Sequence, residues 1–177
     1  IAEAAIDVGD IRISKRFMDV VEAEENLKPG IKGQLSFTKG RFMELSGDFE
    51  NAVAEWETAM KGPHRPTRAR AAVARAELLL KLKNISRGET IDELEKLRFA
   101  WRGDEFEFNL LRRLGRLYME DGNFRNGLRT LKQAATHFRE INKAKEVTQE
   151  MTDAFAELYL NSAADSLPPV TAIALFD

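Results

Sequence analysis

Residues Leu110–Phe138 read LLRRLGRLYMEDGNFRNGLRTLKQAATHF. Apolar residues recur at three- and four-residue steps in both halves of this stretch, which predicts one apolar face on each of two helices. Between the halves, Gly122 and Asn123 tolerate the left-handed backbone that a tight reversal needs. Gly115 has no side chain and lets the two backbones approach closely. The stretch therefore predicts an antiparallel helical hairpin.

A second copy of this hairpin lies upstream at a constant offset of 75 residues. The two copies share identical residues at seven positions, namely Leu35, Gly40, Arg41, Gly47, Phe49, Asn51 and Ala59 in the first and Leu110, Gly115, Arg116, Gly122, Phe124, Asn126 and Ala134 in the second. An offset of 75 leaves room for a middle repeat of roughly 34 residues with a short insertion. We expect its helices at Thr67–Lys83 and Ile91–Trp101, with the insertion at 84–89.

The third hairpin resembles the tetratricopeptide repeat (TPR). The resemblance is carried by Leu114, Gly115, Tyr118, the Gly-Asn-Phe turn, Gly127, Leu131 and Ala134. It implies an all-α fold, a right-handed superhelix of antiparallel hairpins, and no catalytic activity. The run from Phe99 to Leu114 is similar to TPR proteins of uncharacterised bacterial families. We expect one domain, 1–177, with hairpins at 35–61, 67–101 and 106–139.

Flanking segments complete this prediction. Residues 1–10 show no clear period, and a helix is expected at about 14–27, with Phe17, Val20, Val21 and Leu27 on its apolar face and Pro29 after its end. An incomplete fourth repeat at 142–177 begins with a helix at about 142–161 and ends in a short apolar helix. Two capping boxes are predicted, Thr90 with Glu93 and Asp104 with Glu107.

Composition restricts the protein class. The 177 residues are 44% hydrophobic and 32% charged, enough for a continuous core, and the formal net charge is −2. With no cysteine in the chain, disulfides and thiolate metal sites are excluded. No apolar run is long enough to span a membrane. Because the chain begins at Ile1 rather than Met, we expect a piece of a longer protein. The resemblance to bacterial TPR proteins implies the bacterial cytoplasm or periplasm and does not distinguish between them.

Arginines recur where first helices would line a concave surface. The positions expected to face this groove are Gln34, Phe37, Arg41 and Glu44, then Arg68, Ala71, Arg75 and Leu78, then Asn109, Arg112, Arg116 and Met119. In the fourth repeat the sign reverses, with Glu150, Asp153 and Glu157. Arginine forks hold carboxylates bidentately, so we predict a partner-binding groove formed by Arg41, Arg68, Arg75, Asn109, Arg112 and Arg116. The alternative is a solvated face whose arginines pair with nearby glutamates.

Other chemistry is thinly represented. The two histidines, His64 and His137, have no second ligand at metal spacing, and no phosphate loop or nucleophile motif is present. Trp56 and Trp101 lie on apolar stripes and are expected in the core. We therefore expect a noncatalytic protein-interaction scaffold that needs no cofactor. The alternatives are an accessory solenoid of a larger enzyme, or nucleic-acid binding through the arginines, which the net charge disfavours.

Overall fold

The chain folds entirely into α-helices within the residues that the computed structural model describes, 1–24, 26–99, 105–138 and 143–160, with side chains described as far as 156. The helices are α1 (Ala2–Asp7), α2 (Ile11–Glu22), α3 (Pro29–Leu45), α4 (Phe49–Met60), α5 (Arg65–Lys81), α6 (Arg87–Leu97), α7 (Glu105–Glu120), α8 (Phe124–His137) and α9 (Ala144–Leu160). The all-α prediction is confirmed. None of these helices is long and apolar enough to cross a membrane.

Two compact units divide the chain, Ile1–Trp101 and Arg102–Asp177. The first contains α1–α6 and the second contains α7–α9. The single domain over 1–177 stays a prediction.

The core of the first unit forms where α3, α4 and α5 meet. Trp56 of α4 is fully buried in the gap that Gly40 leaves on α3, and a β-carbon on Gly40 would lie 2.6 Å from the indole Cδ1. The indole Nε1 donates a hydrogen bond to the Phe37 carbonyl at 3.2 Å. The prediction that Trp56 is a core residue is therefore confirmed, as is the close helix contact at Gly40.

The second unit repeats this arrangement with different residues. Leu131 of α8 packs against Gly115 of α7, where a β-carbon would lie 2.6 Å from the leucine Cγ. Met119 packs in the same way against Gly127. α9 packs on α8 and buries Val147 completely. Because these glycines have no side chain, the helices can lie this close together.

Four hairpin turns share one backbone conformation. A residue with positive φ follows α1, α3, α5 and α7, namely Gly9, Gly47, Lys83 and Gly122, at intervals of 36 to 39 residues. After each one, the next residue donates its N–H to the carbonyl five residues back, at 2.8–2.9 Å. This is the Schellman arrangement, which satisfies the last carbonyls of a helix. The turn conformation therefore recurs four times, once with lysine in place of glycine.

At the start of the chain the structure corrects the sequence analysis. A short helix, α1, covers residues predicted to lack a period, and α2 covers Ile11–Glu22 rather than 14–27. The buried side chains of α2 are Ser14 and Met18, while Phe17 and Val20 are exposed, so the predicted apolar face was wrong. Pro29 opens α3 instead of following the end of the preceding helix, because proline is well suited to the first helical position.

The middle repeat differs from its prediction as well. Its capping box is formed by Ser86 and Glu89, so helix α6 begins four residues earlier than expected. Thr90 lies inside α6, fully buried, and its hydroxyl donates to the Ser86 carbonyl at 2.9 Å. Trp101, the Asp104 capping box and the short helix expected near the end of the chain lie outside the described residues.

Candidate functional site

The six predicted groove residues fall into both units, and each unit is described separately. Arg41, Arg68 and Arg75 belong to the first unit; Asn109, Arg112 and Arg116 belong to the second. A concavity that unites residues of both units stays a prediction.

In the second unit, two arginines of α7 share a carboxylate of α9. Arg112 and Arg116 lie one helical turn apart, and both donate to the Glu150 carboxylate; the Arg116 Nε contact measures 3.1 Å. Arg112 Nη2 also pairs with the Glu146 carboxylate at 2.9 Å. Glu150, one of the acidic positions noticed in the sequence, thus pairs with Arg112 and Arg116 of α7. Asn109 is exposed on the same helix.

Titration of this cluster follows from its geometry. Partial burial raises the pKa of Glu150, but hydrogen bonds and charge from Arg112 and Arg116 outweigh it and hold the pKa below its usual value. The hydrogen bond that Arg112 donates to the Glu150 carboxylate in turn raises the pKa of Arg112. Glu150 is therefore ionised at neutral pH and linked to both arginines.

In the first unit the predicted arginines point to different sides. Arg41 of α3 pairs with Asp7 of α1 at 2.9 Å. Arg75 of α5 instead pairs with Glu57 of α4 at 2.9 Å and with Glu93 of α6 at 3.5 Å. The α1 side and the α4–α6 side are different surfaces of this unit, so Arg41 and Arg75 do not share a groove.

Arg68 and the two apolar positions on α5 are also placed differently from the prediction. The Arg68 guanidinium donates to the Gly62 carbonyl at 3.1 Å, so its partner in this contact is a neutral backbone group. Ala71 and Leu78 are buried in the core of the unit. Three residues predicted to line the groove therefore make contacts within the fold of this unit.

A shift of register explains these differences. In the first hairpin, the residues 13, 10 and 6 positions before the positive-φ turn residue are Gln34, Phe37 and Arg41. In the third hairpin, the corresponding residues are Asn109, Arg112 and Arg116. The same count from Lys83 gives Arg70, Val73 and Glu77. The 34-residue repeat assumed in the sequence analysis had instead placed Arg68, Ala71 and Arg75 on the groove, each two residues earlier. Two residues rotate a side chain by about 200° around a helix, which turns Arg75 to the opposite side.

Arg70 is the functional candidate that the sequence analysis missed. Its guanidinium carbon lies 4.3 Å from the centroid of the Phe37 ring. Both terminal nitrogens donate to the Glu3 carboxylate, at 3.4 and 3.1 Å. The Thr38 hydroxyl lies 3.5 Å from the same carboxylate. Together with Arg41, these groups make a carboxylate-binding face on α3 and α5, which we call the Arg41–Arg70 face. Arg70 is identified only when α5 is aligned on the positive φ of Lys83, which the sequence does not reveal.

Beside this face lies a cavity of about 480 Å³ between α1, α2, α3 and the start of α5. Its apolar lining includes Phe17, Met18, Ile31 and Leu35, and Arg70 lies on its polar side. The His64 ring nitrogen Nδ1 lies 2.8 Å from the Thr67 hydroxyl at the same side. Apolar surface next to a positioned guanidinium suits a ligand that carries both an apolar group and an acid.

In the described part of the chain, no group of three histidine or carboxylate side chains could hold a metal ion.

Comparison with protein-family models, with curated proteins and with solved structures found no match for the chain.

Proposed function

We propose that this chain is a noncatalytic protein-interaction scaffold of the TPR-like kind, whose hairpins follow one another as a right-handed superhelix. The single observation that carries the proposal is the recurrence of one turn conformation every 36 to 39 residues, after α1, α3, α5 and α7. Repeats of this length that pack glycine against a large side chain are typical of solenoids, whose repeated first helices present a continuous binding surface.

The partner that suits this surface is an acidic protein segment. The Arg41–Arg70 face holds the Arg70 guanidinium over the Phe37 ring, so little side-chain entropy is lost when the fork engages a carboxylate. Arg41 and Arg70 in the first unit and Arg116 in the second pair with carboxylates of their own unit. When an acidic partner binds, its carboxylate therefore replaces a carboxylate of this chain on the arginine. The same pairing reduces the positive potential that nucleic-acid binding needs.

Selection from a phage-displayed peptide library tests the proposal. We expect selected peptides to be rich in Asp and Glu, to bind with 1:1 stoichiometry, and to perturb the amide resonances of first helices such as α3 and α5 in an NMR titration. Arg75→Ala is the matched control, because Arg75 faces α4 and α6 and its loss should leave binding unchanged.

Two outcomes would contradict the proposal. One is that no peptide is enriched above background on the folded chain. The other is that the selected peptides perturb only second helices, α4 and α6, and lose affinity with Arg75→Ala.

A further inference from the structure

Helix α1 carries two carboxylates on one face. Glu3 and Asp7 are four residues apart, so they lie one helical turn from each other on the same side. Asp7 pairs with Arg41 at 2.9 Å and Glu3 pairs with Arg70 at 3.1 Å. The short helix therefore spans the Arg41–Arg70 face with both of its acidic side chains.

Contacts between α3 and α5 and within α3 support the face that receives these carboxylates. Phe37 is buried and supports the Arg70 guanidinium from below. Thr38 is buried as well, and its hydroxyl donates to the Gln34 carbonyl at 3.0 Å, within α3. A preorganised fork of this kind keeps its geometry whether or not Glu3 is present.

Helix α1 itself is weakly held. It has six residues and no side-chain N-cap hydrogen bond, and it buries only Ala5 and Ile6. The side chains of Glu3, Asp7 and Arg70 each keep more than a third of their surface exposed, and exposed ion pairs contribute little to stability. A helix of this length is marginal without tertiary support, so α1 should separate from α3 at a lower cost than global unfolding.

We propose that α1 is an internal stand-in for an acidic helix of a partner protein, and that this partner helix displaces α1 from the Arg41–Arg70 face. The proposal rests on the proposed function as an interaction scaffold. The partner is a helix with two carboxylates four residues apart, because that is the spacing that engages both arginines. A large apolar side chain on the partner helix enters the adjoining cavity, whose lining includes Phe17 and Leu35.

The test is an NMR titration of the full chain with a helix-stapled, acetylated peptide that carries the α1 sequence AEAAID. In the double variant Glu3→Gln/Asp7→Asn, the arginines lose their internal partners, and we expect the peptide to bind about tenfold more tightly than it binds wild type. The Nε–Hε resonances of Arg41 and Arg70 should shift on binding. Adding Arg41→Ala and Arg70→Ala to the double variant should abolish this binding.

Two matched controls accompany the titration. Glu22→Gln frees Lys39 from its ion pair between α2 and α3, so it releases a cation of the same unit without exposing the Arg41–Arg70 face. This variant should bind the peptide no better than wild type. A peptide with glutamine and asparagine in place of its two acids should not bind any of the proteins.

Hydrogen exchange on wild type provides a second measurement that does not depend on a variant folding. The amide of Ala5 donates to the Ile1 carbonyl and that of Asp10 to the Ala5 carbonyl. Saturating peptide should accelerate exchange at both, because α1 is released. Unchanged exchange, or equal affinity in wild type and Glu3→Gln/Asp7→Asn, would overturn the proposal. Library peptides that still bind first helices would then leave the scaffold function intact, whereas a library without ligands would overturn that function separately.

Discussion

At the scale of single residues, the turn after α5 shows that a backbone conformation, rather than a residue type, is what the hairpins share. Gly9, Gly47 and Gly122 adopt positive φ at no steric cost, whereas Lys83 does so at φ 61° with a β-carbon in place. The fold therefore imposes the left-handed conformation on Lys83, and the middle hairpin is stabilised less by its turn than the others.

Lys83→Gly should stabilise the chain. Relief of the left-handed strain is worth roughly 1–2 kcal/mol, and the greater freedom of glycine in the unfolded chain takes back about 0.5–1 kcal/mol. Chemical denaturation should show a net gain of about 0.5–1 kcal/mol. Lys83→Ala keeps the β-carbon and serves as the control; a gain of the same size in that variant would show that the strain is not the cause.

Gly115→Val should destabilise the second unit by about 1–3 kcal/mol through overpacking. A β-carbon at this position would lie 2.6 Å from Leu131 Cγ and 3.3 Å from the Gly127 carbonyl, and the backbone oxygen cannot easily move away. A thermal melt provides the measurement. Gly88→Val is the matched control, because the nearest atom to a β-carbon there is Ser86 Oγ at 4.0 Å. An unchanged melting temperature in Gly115→Val would mean that α7 and α8 do not pack in this register.

At the scale of helices, ion pairs link first helices to one another within each unit. Asp7 of α1 pairs with Arg41 of α3, and Glu150 of α9 pairs with Arg112 and Arg116 of α7. Since these helices are separated in sequence by a whole second helix, the pairs contribute long-range contacts that turns alone do not supply.

Glu150→Gln should lower stability by roughly 1–2 kcal/mol at neutral pH, because the hydrogen bonds that Arg112 and Arg116 donate to Glu150 lose the charge of their acceptor. The folded-state pKa of Glu150 is lowered from 4.5, so its contribution is present above about pH 4.5 and is lost as the pH falls through the lowered pKa. Denaturation of wild type and variant should therefore give a difference that shrinks below pH 4.5.

The control for this pH dependence is Asp153→Asn on the same helix, whose carboxylate accepts a hydrogen bond from the neutral Gln149 amide at 2.7 Å. A wild-type advantage over Glu150→Gln that persists undiminished at pH 3 would show that the arginines gain nothing from the ionised carboxylate.

At the scale of the molecule, two compact all-helical units account for the described chain, and each has its own core. The first is centred on Trp56 and Phe37, the second on Phe108 and Leu131. In each core, residues from three successive helices meet, so packing between helices buries these apolar side chains.

Circular dichroism of the full chain at neutral pH should report helix for more than half of its residues, because α1–α9 cover more than half of the 177 positions. The helical signal should be unaltered by a chelator. A spectrum with less than half helix would contradict the all-α assignment.

The sequence by itself determined the all-α class, the hairpin of α7 and α8, and the glycine contacts. Apolar periodicity is a local property, so it located α7 and α8 closely, and the identity of Gly40 with Gly115 identified two close contacts without any knowledge of their partners. The turn at Gly122 was predictable for the same reason, because glycine and asparagine are residues that readily adopt the left-handed conformation.

Only the tertiary structure decided which arginines share a face. Lysine at position 83 gives no local sign of positive φ, so the register of α5 was misplaced by two residues, and Arg70 was overlooked in favour of Arg68 and Arg75. The carboxylates that pair with Arg41, Arg70, Arg112 and Arg116 lie 34 or more residues away in sequence, as with Asp7 and Arg41. Pairing across such distances depends on how helices stack, and no local pattern of residue types specifies it.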